Sequence, residues 1–170
     1  MLSEGISNLA SLAKLDMDGC SSLTSLLESL GNLASLTNLN LQGCESLTSL
    51  PESLGNLDNL TNLDLGRMPW STIPDGIAQV LGNLASLTEL DLSECSSLTS
   101  LPESLGNLAS LVKLVLGGCK CLLVTEHPMI RKLAARGVKV VGVELVDDLG
   151  ALPSLEMSVQ PWTRIPPAVV

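Results

Sequence analysis

The sequence predicts an α/β fold: a right-handed solenoid in which short parallel strands stack into one curved sheet, with short helices or 3₁₀ turns on the convex side. Two observations predict it. A Leu-x-x-Leu-x-Leu core recurs five times at spacings of 24, 24, 27 and 24 residues, and a Leu-Pro-Glu-Ser-Leu-Gly-Asn-Leu block stands at both 50–57 and 101–108. A unit this short cannot bury its own leucines, so neighbouring units must stack to form the core.

Each leucine core predicts one strand. The five cores are centred on Leu15, Leu39, Leu63, Leu90 and Leu114. Leucine alternates with polar residues there, and this period of two places leucine on one face of a strand and polar side chains on the other. We therefore expect five strands with one buried and one solvated face.

The block after each strand predicts a short helical or 3₁₀ return segment. Proline suits the first helical position, so Pro51 is expected to begin the turn, and Gly55 is expected to leave it in a left-handed conformation. The third repeat departs from this plan. Four residues added within 77–82 predict one further helical turn, and Trp70 takes the place of a repeated leucine. Its indole is expected either in the core or on the surface as a partner anchor.

Four cysteines recur in one repeat column, at Cys20, Cys44, Cys95 and Cys119. The third repeat has Met68 there, which cannot form a disulfide. The column therefore predicts a slot for a small or adaptable buried group. The total of five cysteines is odd and no secretory signal is recognised, which favours reduced thiols and a cytoplasmic location.

The whole pattern, Leu-x-x-Leu-x-Leu-x-x-Cys-x-x-Leu-x-x-Leu-Pro, resembles the leucine-rich repeat family over about residues 2–123. It is most similar to the form found in plant intracellular nucleotide-binding immune receptors. The resemblance implies a leucine-rich repeat solenoid of about five 24-residue repeats. It also implies ligand sensing, or autoinhibition by intramolecular contact. The sequence contains no phosphate-binding loop, so a nucleotide-binding module is not expected in this chain.

The chain divides into three predicted parts. Residues 1–123 form the solenoid, which starts in the middle of a repeat and leaves its leucine rows without a polar cap. Residues 124–143 form a helix-strand cap, with Pro128 in the first turn of the helix. Residues 144–170 form a proline-containing extended tail, which either packs along the cap or binds a partner through Trp162.

Charge limits the classes of partner. The formal net charge is −9, and residues 119–170 contain 6 of the 9 basic groups but only 5 of the 18 acidic ones, so the solenoid carries nearly all of the excess. Nucleic acids and anionic membranes need clustered Lys and Arg, so neither is an expected partner.

The solvent-facing strand positions are the candidate binding surface. The predicted partner-binding residues are Asp16, Asp64, Asp91, Glu89, Asn40, Asn62, Trp70 and Trp162. Adjacent strands lie about 4.8 Å apart, so Asp64 and Asp91 should be neighbours whose like charges favour a basic ligand or a counterion. The alternative is an acidic face that is merely solvated.

Catalysis is not expected, because His127 is the only histidine and no nucleophile has a recognisable base. Neither a metal nor a cofactor is predicted. The sequence therefore predicts a non-catalytic protein interaction module that presents a rigid surface to a protein partner. Two alternatives stay open: a docking subunit of a larger assembly, with self-association through the N-terminal edge at Leu2, Ile6 and Leu9, or the substrate-recruiting domain of a ubiquitin ligase.

Overall fold

The computed structural model describes residues 9–122 and 127–142, which form a six-stranded parallel sheet. The strands follow one another across the sheet in chain order. They are β1 (Lys14–Asp16), β2 (Asn38–Asn40), β3 (Asn62–Asp64), β4 (Glu89–Asp91), β5 (Lys113–Val115) and β6 (Lys139–Val141). This arrangement confirms the predicted parallel solenoid.

The strand register aligns the leucine columns of successive repeats. Leu39 of β2 pairs with Leu63 of β3, which pairs with Leu90 of β4. All three side chains are buried. The core is thus a stack of leucine rows, and each row is covered only when a neighbouring repeat lies against it.

The convex side is built from one short helix per repeat. Three repeats have a five-residue 3₁₀ helix: Glu28–Asn32, Glu52–Asn56 and Glu103–Asn107. The third repeat has instead the α-helix α1 (Asp75–Leu81), which confirms the predicted extra turn. Pro51 has a φ of −63° and lies one position before the helix, as its N-cap rather than its first residue.

The repeated glycine of this segment has a different role from the predicted one. The expectation of a left-handed exit at Gly55 is wrong, since only Gly19, Gly43, Gly118, Gly137 and Gly142 have positive φ among the described glycines. A Cβ added at Gly55 would instead lie 3.0 Å from Cβ of Asn83, and one at Gly31 would collide with Ser53. Glycine is required because adjacent coils approach each other closely.

The cysteine column lies in the core from the second repeat onward, but the expectation of burial is wrong for Cys20 in the first repeat. Cys44, Cys95 and Cys119 are buried, as is Met68 in the third repeat, whereas Cys20 at the start of the column is exposed. The buried thiols donate to carbonyl oxygens of the preceding repeat: Cys44 to Met17 (3.3 Å), Cys95 to Leu65 (3.4 Å) and Cys119 to Leu92 (3.1 Å). Burial raises the pKa of the Cys119 thiol to about 12.

Trp70 also belongs to the core, with only 8% of its surface exposed. The prediction of Trp70 as a surface anchor is therefore wrong, because a buried indole cannot contact a partner. The segment from Met68 to Pro74 is one residue shorter than its counterparts, and the indole fills the space that Leu47 and Leu98 fill in the neighbouring repeats. Trp162, the other predicted anchor, lies outside the described residues.

A helix and a further strand follow the fifth leucine repeat. Helix α2 (Pro128–Ala135) buries Met129, Ile130 and Leu133, and β6 pairs with β5. The guanidinium of Arg136 donates to the carbonyls of Gly106 and Leu108, both at 2.8 Å, and so joins α2 to the preceding repeat. Among the described helices, none has the length and apolar character needed to cross a membrane.

The close approach of coils predicts that Gly31→Ala lowers the free energy of unfolding by about 1–3 kcal/mol, the usual cost of overpacking. Gly117→Ala is the matched control, because a Cβ there would meet only the Cα of Gly142, at 3.7 Å. Its effect should stay within about 0.5 kcal/mol. Urea denaturation followed by circular dichroism measures both changes, and equal stability of the two variants would contradict the assignment.

Cysteine burial predicts two classes of thiol. Exposed Cys20 and Cys121 should react rapidly with a disulfide reagent in the native state, whereas the three buried thiols should react only after unfolding, because they are shielded and hold their protons more tightly. A stopped-flow absorbance assay resolves the two phases. The double variant Cys20→Ser, Cys121→Ser should lose the fast phase, and rapid modification of all five native thiols would refute the burial of the column.

Candidate functional site

Two rows of side chains cross the solvent-facing side of the sheet, here called the concave face. The first row contains Lys14, Asn38, Asn62, Glu89, Lys113 and Lys139. The second row contains Asp16, Asn40, Asp64, Asp91, Val115 and Val141. A depression on this face extends from β1 to β4. The strand register therefore brings most of the predicted partner-binding residues onto one surface.

The first four members of the second row help to end their strands. Each uses its side-chain Oδ1 to accept the backbone N–H two residues later: Asp16 from Asp18 (3.1 Å), Asn40 from Gln42 (3.0 Å), Asp64 from Gly66 (2.8 Å) and Asp91 from Ser93 (2.7 Å). Asp and Asn suit this position because a short side chain can reach its own following backbone. These four residues of the predicted ligand surface therefore also stabilise the turns that follow their strands.

Asp64 and Asp91 form the acidic centre of the concave face. They pair across β3 and β4, and both are half-buried. Burial raises the pKa of the Asp64 carboxyl, and the nearby negative charge of Asp91 raises it further, while the Gly66 N–H and Arg67 act in the opposite direction. A cation placed between the two carboxylates would relieve this repulsion.

The other predicted acids and amides already make polar contacts within the concave face. Glu89 accepts from Nζ of Lys113 at 2.7 Å, so its charge is already paired, and Nδ2 of Asn62 lies 3.4 Å from its other oxygen. Asn40 donates to Asp16 at 2.9 Å. These contacts leave the acidic centre as the part of the predicted site best suited to an incoming positive charge.

Two charged residues beside the acidic centre are not among the residues that the sequence predicts for the site. Arg67 and Glu94 have φ of 54° and 59°, and they stand where the other repeats have the left-handed glycines 19, 43 and 118. Their side chains lie 3.6 Å apart, and Arg67 also donates to Oε1 of Gln42 at 2.9 Å. The sequence contains a signal for them, because a charged residue replaces the repeated glycine in the two repeats that carry the acidic centre.

A ladder of threonines borders the first row. Each hydroxyl donates to the preceding repeat: Thr37 to the Ala13 carbonyl (2.9 Å), Thr61 to Thr37 (3.2 Å) and Thr88 to Thr61 (3.0 Å). These bonds reinforce the main-chain pairing at the start of each strand. Val112 replaces threonine in the fifth repeat and is 60% exposed. The recurring Leu-Thr pair in the sequence is the signal that could have revealed this ladder.

Within residues 9–122 and 127–142, no three metal-ligating side chains converge. His127 is the N-cap of α2: its Nδ1 accepts from the N–H of Met129 at 3.3 Å, and burial lowers the pKa of its imidazole.

The raised pKa of Asp64 predicts a pH-dependent gain from Asp64→Asn, which keeps an oxygen for the Gly66 N–H. The folded state holds the Asp64 proton more tightly than the unfolded state, so the wild-type free energy of unfolding falls as pH rises above the ordinary pKa of 3.8. The variant should be more stable at neutral pH, by less than about 1 kcal/mol in this half-exposed setting. The gain should vanish at pH below that ordinary value.

Urea denaturation at the two pH values measures this difference. Glu52→Gln, an exposed change on the convex side, is the control that removes one charge away from the acidic centre. A neutral-pH destabilisation of Asp64→Asn would contradict the electrostatic account.

Comparison with known proteins agrees with this architecture. Residues 35–57 and 86–108 match the Leucine Rich Repeat family. No curated protein matches the chain. Among solved structures, the fold is similar to an internalin of Listeria monocytogenes, with a TM-score of 0.56 and 19% identity over 82% of this chain and 37% of that one. It is also similar to a leucine-rich repeat protein of Leptospira interrogans, with a TM-score of 0.52 and 23% identity over 82% of this chain and 39% of that one.

The chain thus spans less than half the length of either structure. At these identities the similarity concerns the fold. The chain has the leucine-rich repeat fold, and two of its repeats match the Leucine Rich Repeat family.

Proposed function

We propose that this solenoid is a non-catalytic protein interaction module whose concave face binds a basic segment of a protein partner. The observation that carries the proposal is the acidic centre, in which Asp64 and Asp91 face each other on adjacent strands. Repeat solenoids generally use extended concave surfaces of this kind to bind proteins. A surface that is already ordered by its own backbone loses little conformational entropy when a partner binds.

The surrounding charges direct a ligand to this centre. Glu89 is paired with Lys113, and Arg67 contacts Gln42 and Glu94. The carboxylates of Asp64 and Asp91 each use one oxygen in a turn, and in the described part of the chain no hydrogen bond is made by the second oxygen. These second oxygens are the acceptors offered to a Lys or Arg of the partner.

The module is proposed to act in the cytoplasm, where its five free thiols would persist. A ligand-sensing role, as in the plant immune receptors whose repeat pattern it resembles, is one setting for such a surface. Substrate recruitment for a ubiquitin ligase is another, and it would use the same face.

The solenoid's first repeat favours a second candidate function, docking into a larger assembly. Leu9 is 51% exposed, and Leu12, Leu15 and Leu23 are only partly buried. In the next repeat the equivalent leucines, among them Leu36, are fully covered. A partner stacked on this end, including another copy of the chain, would bury the exposed surface. Leu2 and Ile6, predicted to share this edge, lie outside the described residues.

The concave-face proposal predicts that Asp64→Asn with Asp91→Asn weakens binding of a fluorescently labelled hepta-lysine peptide about fivefold to tenfold, the sum of two exposed ion pairs. Asparagine retains an oxygen for both turns, so the fold should be preserved. Fluorescence anisotropy measures the affinity. The control is Glu52→Gln with Glu103→Gln, which removes the same charge from two exposed convex positions.

Equal loss of affinity in both double variants would mean that net charge alone attracts the peptide, and the concave-face proposal would fail.

Light scattering on the wild type over a range of concentrations tests the docking function. Association that disappears in Leu9→Ser would support the edge, whereas a monomer at every concentration would count against self-association.

A further inference from the structure

The second row of the concave face changes chemistry between β4 and β5. Asp64 and Asp91 pair across β3 and β4, and Val115 and Val141 pair in register across β5 and β6. The two valines are half-buried and occupy positions that hold Asp or Asn in the other four strands. One row thus offers an acidic pair and, next to it, an aliphatic pair.

The first row sharpens this division. Beside the valines it carries Lys139 and Lys113, the latter already paired with Glu89, so neither row places an acidic group over β5 and β6. A ligand that matches the second row therefore needs a basic side chain over β3 and β4 and an apolar side chain over β5 and β6.

The distance between the two pairs selects a backbone conformation. Each pair is centred between its two strands, so the centres are two strand spacings apart, about 9.6 Å. In a polyproline II helix, residues three apart point the same way and lie about 9.3 Å apart. In a β-strand, residues on one side are separated by about 6.7 Å or twice that. In an α-helix, residues on one side are separated by about 6 Å at four positions or about 10.5 Å at seven. The polyproline II repeat, at about 9.3 Å, comes closest to the spacing of the row.

We propose that the concave face receives a polyproline II segment of its protein partner, laid across β3 to β6, with a Lys or Arg at the acidic centre and an apolar residue three positions away on Val115 and Val141. This inference rests on the proposed function and names the class of partner. A polyproline II segment is largely ordered before it binds, so little conformational entropy is lost on a rigid face.

Four labelled peptides test the spacing. Arg-Pro-Pro-Leu and its reverse, Leu-Pro-Pro-Arg, place the two side chains three positions apart in the two chain directions, Arg-Pro-Leu-Pro places them two apart, and Arg-Pro-Pro-Gly lacks the apolar group. Proline prevents all four from forming an α-helix. One of the two three-spaced peptides should bind the wild-type chain about tenfold more tightly than the other peptides, as expected for burial of most of a leucine side chain.

Protein variants separate the two halves of the row. Val115→Thr with Val141→Thr keeps the β-branched shape but removes the apolar surface, so the tenfold preference should disappear while the affinity for Arg-Pro-Pro-Gly stays the same. Asp64→Asn with Asp91→Asn should weaken all four peptides by a similar factor. Val112→Thr is the control: it is exposed, lies outside the second row and restores the threonine of the other repeats.

The possible results are distinct. Equal binding of Arg-Pro-Pro-Leu, Leu-Pro-Pro-Arg and Arg-Pro-Pro-Gly, with hepta-lysine still dependent on Asp64 and Asp91, would overturn this inference and leave the proposed function standing. Tighter binding of Arg-Pro-Leu-Pro, or of an α-helical peptide with Arg and Leu seven positions apart, would also overturn it. Failure of every basic peptide to bind would overturn both.

Discussion

Burial of leucine between neighbouring coils is the constraint on which the rest of this structure depends. No repeat has a core of its own, so the parallel register that aligns Leu39, Leu63 and Leu90 is also the register that excludes water from them. The same constraint explains residues that look unrelated to hydrophobicity. Gly31 and Gly55 let coils approach closely, and buried thiols such as Cys95 donate to the carbonyls of preceding coils.

That constraint also shapes the candidate site. Since the leucines fix one face of each strand, the opposite face is presented at a regular spacing, and its chemistry can be varied one strand at a time. Asp64 and Asp91 show the two demands on such positions: each ends its strand through a backbone bond and still offers charge to the solvent. A site built this way is rigid because its side chains are held by the elements that carry them.

The repeat period made the fold predictable. Features that depend on contacts between repeats could not be predicted from the sequence. The strands, the extra turn of α1 and the pairing of Asp64 with Asp91 follow from repeat spacing alone. The role of Gly55 does not, because a close approach between coils is a tertiary property that one repeat cannot reveal. The burial of Trp70 was undecided for the same reason. The Glu89–Lys113 pair depends on side-chain reach, which spacing does not specify.

The irregular third repeat affects how the chain can find its fold. Residues 33–57 and 84–108 are nearly interchangeable in their leucines, so a misfolded chain that skipped a coil would lose few of its hydrophobic contacts. Helix α1 packs against the 3₁₀ helices of both neighbours, Glu52–Asn56 and Glu103–Asn107, and no other repeat within residues 9–122 has an α-helix. This irregular repeat therefore distinguishes the native stacking order of the repeats from an order in which one repeat is skipped.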